Sequence, residues 1–287
     1  MNMRDFLKRI TLLLVCCVFV LGNAHVSFAD DLMLMEAYFT QDEGYSGWKD
    51  VPGKGKMRYY AQNDPLWGSL TYERVDAESR RPFRDSGCCP SAAAMAVAAL
   101  IPEEELAIIG DYAKRPYSLC SCSLNKERCN KRHSRYILTS DRDYSRFLPL
   151  IFGDFATGNN TFGVYSRAVS AGTGTGYLHQ IVKIYGLKLT FTYQYAEALA
   201  ALDEGKAVAA LAGGGGAFTD TGHYVFLAHY DEEQLYVLDP LRRDVYKTNG
   251  AGKLHIIEPG LISLKHSNVS AARFSNFLIF EKITNTP

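Results

Sequence analysis

Short apolar runs succeed one another along this chain, and their pattern turns from helical to sheet-like near Lys206. Residues 57–62 (Met-Arg-Tyr-Tyr-Ala-Gln) predict a short strand, which runs into a turn-rich loop at 63–68 (Asn-Asp-Pro-Leu-Trp-Gly) with one aromatic anchor. At 84–100 a small, polar turn (Asp85, Ser86, Gly87) delivers two cysteines, Cys88 and Cys89. Pro90 then opens a run of strong helix formers. Proline suits a first helical turn, because the amide it lacks has no intrahelical partner there. A mostly apolar, buried helix is expected, with Cys88 at its amino end. A second helix starts at Pro102, with acids where the dipole favours them. Residues 112–143 are polar, basic and cysteine-bearing, 147–156 more apolar, and 158–176 rich in Gly, Ser, Thr and Asn. This last stretch reads as a long surface loop and a candidate cleft wall. Residues 177–185 have helical spacing and stop at Gly186, 187–193 alternate as a strand, and 196–204 form a short helix stopped by Gly205. Buried or half-buried strands follow at 207–212, 222–230, 234–239, 254–257 and 274–283. Helices first and antiparallel strands later make an α+β layout. Residues 30–56 read as an N-terminal extension packed on the domain.

The composition narrows the setting. With 287 residues, 47% of them hydrophobic, the chain can bury a large core. Its formal net charge is zero, with no basic stripe for nucleic acid and no acidic arm. Residues 1–29 read as a signal peptide: Arg4, Lys8 and Arg9, then an apolar run at 10–21, then Ser27 and Ala29 spaced as a cleavage site before Asp30. An uncleaved anchor is the alternative, but the run is short for a membrane span. The mature protein is expected to be soluble and exported, to a periplasm, a cell surface or the medium, without stable membrane association once the leader is cut.

Export changes the cysteine arithmetic. Removing Cys16 and Cys17 from the seven cysteines leaves Cys88, Cys89, Cys120, Cys122 and Cys129. An odd number in an oxidising compartment leaves one thiol unpaired unless two chains are linked. If Cys88 is the reactive thiol, Cys89 and the other three can form two disulfides, with connectivity open. Cys120, Cys122, Cys129 and His133 could instead hold zinc, although the spacing departs from the usual ligand pairs. Disulfides are the preferred reading, and no metal or other cofactor is expected.

A thiol at the start of a helix is favoured as thiolate by unpaired N–H groups and the dipole. A hydrolase built on it needs an imidazole, a group to orient that imidazole, and donors for the oxyanion. His223 opens one strand of the expected hairpin and Asp239 closes the other, which places them side by side. The order Gln62, Cys88, His223, Asp239 is carried by four segments: 59–68 (Tyr-Tyr-Ala-Gln-Asn-Asp-Pro-Leu-Trp-Gly), 86–91 (Ser-Gly-Cys-Cys-Pro-Ser), 222–226 (Gly-His-Tyr-Val-Phe) and 236–240 (Tyr-Val-Leu-Asp-Pro). In these the chain resembles the C39-like peptidases of the papain-like cysteine protease superfamily.

The resemblance implies a papain-like fold, in which an N-terminal helical part carrying the cysteine helix packs on a C-terminal antiparallel sheet. Residues 57–287 would form that domain, with an insertion at 112–160. It also implies roles: Cys88 as nucleophile, His223 as general base and acid, Asp239 as the group orienting His223, and Gln62 as an oxyanion donor beside the N–H of Cys88. One departure is Cys89, where the family commonly has glycine; Cys88 remains preferred over Cys89 as nucleophile. Each residue also has a plainer reading. Gln62 can cap a turn, Asp239 before Pro240 can open one, His179 fits a structural role and His229 a core or surface place, and His255 and His266 offer no pattern. The expected function is an exported cysteine peptidase acting on polypeptide or peptidoglycan peptides through a thioester. The alternatives are a cell-wall peptide hydrolase, an acyl transferase of the same fold, or an inactive, disulfide-stapled binding module.

Overall fold

Cys88 and His223 stand at the starts of a long helix and a central strand of one antiparallel sheet, and Asp239 follows directly on the end of the neighbouring strand. The computed structural model describes residues 44–68, 82–106, 108–109, 117–118, 135–136, 144–157, 167–168, 172–246 and 250–283. All belong to the second of two units into which the chain divides, Gly44–Pro287. The leader expected at 1–29 lies outside the described residues.

In chain order the elements are β1 (Gly47–Val51), β2 (Gly55–Tyr59), α1 (Cys88–Leu100), α2 (Glu103–Leu106), β3 (Tyr117–Ser118), β4 (Arg135–Tyr136), α3 (Leu148–Ala156), β5 (Arg167–Ala168), β6 (Gly172–Thr173), α4 (Leu178–Ile184), β7 (Leu187–Thr192), α5 (Tyr195–Asp203), β8 (Ala207–Ala212), β9 (His223–Tyr230), β10 (Gln234–Leu238), β11 (His255–Glu258), β12 (Leu261–Lys265), α6 (Val269–Ala272) and β13 (Phe274–Lys282). Seven strands form one sheet in the order β11-β12-β10-β9-β8-β13-β7, antiparallel at every junction. The mixed helix-and-sheet architecture with a large antiparallel sheet is the α+β layout expected.

The central strands are apolar on both faces because both faces are covered. Val208, Ala210, Val225, Leu227 and Val237 share one buried cluster with Ala198 and Ala201 of α5. Residues of the opposite parity, such as Ala209, Phe226 and Leu238, are buried outside that cluster. A strand covered on both sides reads as a continuous apolar run rather than an alternation, which is why 207–212 is legible as a core strand. α1 packs against β9 and β8 and also against α3. Ala92, Ala93, Ala94 and Ala96 are all buried, and such small side chains let neighbouring backbone approach the helix closely.

The structure departs from the expectation at four places. Residues 47–51, in the stretch read as an extension, pair in register with β2 across a Pro52-Gly53 turn, so 47–59 is one hairpin. Its polar positions (Lys49, Asp50, Lys56) break the apolar period that would have marked it. β12 follows the Pro259-Gly260 turn as a fully buried strand apart from Lys265, too short for periodicity to show. α3 lies inside the span read as an insertion, yet Leu148, Ile151, Phe152 and Phe155 are buried, so it belongs to the core. A two-residue ladder, β5 with β6, falls within the stretch read as a long loop.

Candidate active site

The amino end of α1 is set by Gly87, whose backbone caps the helix: the Ser91 N–H donates to the Gly87 carbonyl at 3.0 Å. A Cβ on Gly87 would lie 2.3 Å from the buried Phe83 ring, so only glycine lets the chain enter the helix at this angle. Cys88 is half-buried and Cys89 buried, and both are free thiols. The expectation that Cys89 takes part in a disulfide is therefore corrected. Its Sγ faces the Tyr177 hydroxyl at 3.5 Å and the Gly174 carbonyl at 3.9 Å, on the packed side of the helix. Burial pushes the Cys89 thiol well up despite the Tyr177 hydrogen bond, so it stays protonated. Cys120, Cys122, Cys129 and His133 lie outside the described residues.

His223 opens β9 opposite Ala212 of β8, and Asp239 leaves β10 just past the Leu238–Phe226 pairing. The two side chains meet: His223 Nε2 and Asp239 Oδ1 are 2.6 Å apart. With Nε2 so engaged, Nδ1 is the nitrogen left for Cys88, which hydrogen-bonds His223. Burial works against the thiolate, but the His223 hydrogen bond and charge, with the N–H groups of Tyr224 and Cys89, hold Cys88 below the ordinary thiol range. Burial likewise disfavours the imidazolium, yet the Asp239 charge and hydrogen bond, joined by Cys88, raise His223 to about 9. Asp239 has no exposed surface. Burial alone would raise its pKa; the His223 charge and hydrogen bond, with Arg243 and Tyr246, bring it below the usual carboxylate value.

Asp239 is held by more groups than the sequence suggested. Its Oδ1 also accepts the Leu241 N–H at 2.8 Å, and its Oδ2 accepts the Tyr246 hydroxyl at 2.5 Å. The Arg243 guanidinium stands 3.9 Å from Oδ2. Its backbone is pinned as well: the Asp239 N–H donates to Gly260 at 2.9 Å, and the Tyr59 hydroxyl donates to the Asp239 carbonyl at 2.8 Å. Tyr246 and Arg243 lie beyond the strand on an irregular segment, and no local pattern marks them. Only the short Asp-Pro turn before them was readable.

Gln62 lines the same cleft as Cys88 and His223. It is buried, and its Nε2 donates to the Arg84 carbonyl at 2.6 Å, which leaves one amide hydrogen uncommitted to that bond. Its backbone is tied to the turn after Asp239 by a bond from the Gln62 N–H to the Pro240 carbonyl. Gln62, Arg84, Ser86, Cys88, Thr221 and His223 all line one cleft of about 750 Å³. Gly172 lines it too, at the end of the stretch expected to form a cleft wall. Thr173 Oγ1 donates to the Ser86 carbonyl at 3.0 Å, fixing that wall to the turn before Cys88.

The other histidines pack elsewhere. His229 stacks on Tyr236 beside the β1–β2 turn, His179 lies against Phe191, and His266 bonds Tyr195 and the Asp231 carbonyl. His255 begins the edge strand β11. The structure thus brings Gln62, Cys88, His223 and Asp239 together, with a polarised thiol at a helix start opening into a cleft.

No curated protein matches the chain. Among solved structures, a Bacillus anthracis protein assigned as a C39-like peptidase aligns at 17% identity over 40% of this chain and 64% of that one, with a TM-score of 0.28. The alignment therefore spans less than two thirds of that protein. The family model for the Peptidase_C39 like family matches residues 55–255, from β2 through Cys88, His223 and Asp239 to the first residue of β11, and the chain belongs to that family.

Proposed function

We propose that this protein is an exported cysteine peptidase of papain-like arrangement, with Cys88 as nucleophile, His223 as its acid and base, Asp239 orienting His223 and Gln62 assisting the oxyanion. The observation that carries the reading is the relay itself: a thiol depressed by an imidazole whose other nitrogen is held 2.6 Å from a buried carboxylate. Between the thiol's lowered pKa and about 9 the pair is a thiolate and an imidazolium. The thiolate adds to a peptide carbonyl and forms a C–S bond. As the tetrahedral intermediate collapses, the C–N bond breaks and His223 gives its proton to the leaving amine. Neutral His223 then takes a proton from water, which attacks the thioester and releases the acid and Cys88. The free Gln62 amide hydrogen and the Cys88 N–H are the donors available to the oxyanion.

Both Cys88 and Cys89 are free, which favours this reading over a binding module inactivated by a bond between them. The substrate is a polypeptide or a peptidoglycan peptide, and neither nucleic acid nor a membrane is a partner in this reading. Export rests on the leader-like residues 1–29. Mass analysis of the mature protein from the exporting cell should find Asp30 at its amino end.

The chemical test is iodoacetamide labelling of the folded, unreduced protein with peptide mapping, at about pH 6 and about pH 8, either side of where a depressed thiol titrates. Rapid labelling of Cys88 at the lower pH, lost in His223→Ala, supports the reading. Equal labelling of wild type and His223→Ala overturns it. A peptide library and a muropeptide preparation, each digested with wild type and Cys88→Ala, then identify which peptide class is cut.

A further inference from the structure

We propose that Tyr246 is a positioning residue of this site, whose hydroxyl holds the Asp239 carboxylate in the orientation that presents Oδ1 to His223. The inference rests on the cysteine-hydrolase reading above and adds to it the device that fixes the relay's geometry. Oδ1 carries two donors, His223 Nε2 at 2.6 Å and the Leu241 N–H at 2.8 Å. Both oxygens turn together about the Cβ–Cγ bond, a torsion with a broad minimum, so the carboxylate plane is held only as firmly as the donors on its two oxygens hold it. The Tyr246 hydroxyl, 2.5 Å from Oδ2, grips the other end of the carboxylate and resists that turn together with the donors on Oδ1.

Tyr246 is itself fixed. Its ring is buried and meets Phe218 edge-on, with centroids 6.2 Å apart at 88°. The Arg243 guanidinium covers it at 5.1 Å while donating to the Phe218 carbonyl at 2.6 Å. A Cβ on Gly250 would stand 2.9 Å from the Tyr246 Cβ, so a glycine gives the ring its place. The other groups facing the carboxylate do not replace this bond. Tyr59 donates to the main-chain carbonyl of Asp239 instead. Arg243 Nε stands at 3.9 Å, beyond hydrogen-bond reach. Burial, then the Asp239 charge, push Tyr246 well above the ordinary phenol range, so the hydroxyl remains a donor wherever the thiolate–imidazolium pair exists.

The test compares the pH profile of Cys88 alkylation by iodoacetamide in wild type and Tyr246→Phe, with a thermal melt to report folding. Tyr246→Phe removes one oxygen and keeps the ring packing. The expected result is a rate at about pH 6 lower by about fivefold or more, the scale of one buried hydrogen bond, and a midpoint moved towards the ordinary thiol value. In an Asp239→Asn background the same change should add nothing, because Tyr246 acts through Asp239. A Tyr246→Phe profile that superimposes on a depressed wild-type profile overturns the inference alone, whatever the melting temperature. A wild-type Cys88 that titrates as an ordinary thiol overturns the hydrolase reading and this inference with it. Should Tyr246→Phe fail to fold, 3-fluorotyrosine placed at position 246 supplies a ¹⁹F resonance. It should shift with the titration of the His223–Cys88 pair, and a resonance unmoved across that range overturns the inference.

Discussion

The backbone N–H of Gln62 donates to the carbonyl of Pro240 at 2.7 Å. A loop and a turn 178 residues apart are thereby one structural unit, and Gln62 is registered against Asp239, the carboxylate bonded to His223. Asn63 strengthens the link, donating from Nδ2 to the Arg242 carbonyl at 2.9 Å while its Oδ1 accepts the Arg242 N–H at 3.0 Å.

Gln62→Ala should therefore leave the fold and the Cys88 alkylation profile in place while lowering turnover. Loss of one oxyanion donor lowers kcat on the order of 10²–10³-fold with a smaller change in KM. Steady-state kinetics on a peptide from the library digest give the measurement. A change confined to KM would assign Gln62 to ground-state binding instead.

Cys88 and His223 contribute to stability with opposite pH dependence. Burial opposes the imidazolium, but Asp239 and Cys88 hold His223 at about 9 against 6.5 for the free side chain. That contribution is complete below about 6.5 and is lost as pH rises through about 9. Burial also opposes the thiolate, yet His223 depresses Cys88 below 9.0. That contribution is complete above 9.0 and is lost as pH falls through the lowered value. Between these limits the folded pair and the unfolded chain each hold one proton, so the two slopes offset. Cys88→Ser removes the thiol's part and keeps Asp239 beside His223. Its urea midpoint should fall as pH climbs from about 6.5 towards 9, while wild type stays flatter over the same range.

Cys89 should behave as a small apolar core residue. Cys89→Ala is expected to cost about 1 kcal/mol of stability and to leave the labelling of Cys88 unchanged. In wild type, peptide mapping after brief alkylation should find Cys88 modified and Cys89 modified only after unfolding. Fast native labelling of Cys89 contradicts its burial against Tyr177.

Gly260 links the distant β12 turn to the site. Its φ is +93°, and a Cβ there would lie 2.5 Å from the Tyr59 ring and hydroxyl. That hydroxyl holds the Asp239 carbonyl, and the Gly260 carbonyl accepts the Asp239 N–H. Gly260→Ala should destabilise by about 2 kcal/mol or more, from overpacking and a backbone conformation that suits glycine. It should also slow Cys88 alkylation at low pH, a coupling that a thermal melt and the labelling assay measure on the same sample.

Part of this was legible in the residues alone. A continuous apolar run at Ala207–Ala212, the glycine stops at Gly186 and Gly205, both with positive φ, and the proline in the first turn of α1 are local signals, each set by sterics within a few residues. They determined the principal helices and most strands of the sheet. The four segments around Gln62, Cys88, His223 and Asp239 likewise carried the family, because the order of those residue types is written in the chain.

Tertiary structure decided the rest. Tyr246, Arg243 and Tyr59 gather on Asp239 from an irregular segment and a distant strand, and no period or motif reports a contact that exists only after the sheet closes. The place of Cys89 was decided the same way: the sequence supplies an extra thiol beside Cys88, and only the packing of α1 against Tyr177 and Gly174 makes it a buried thiol. Sequence fixes which chemistry is present, since residue type and local backbone preference are local properties. Its orientation and protonation depend on burial and on charges brought close through space, and these the folded chain alone supplies.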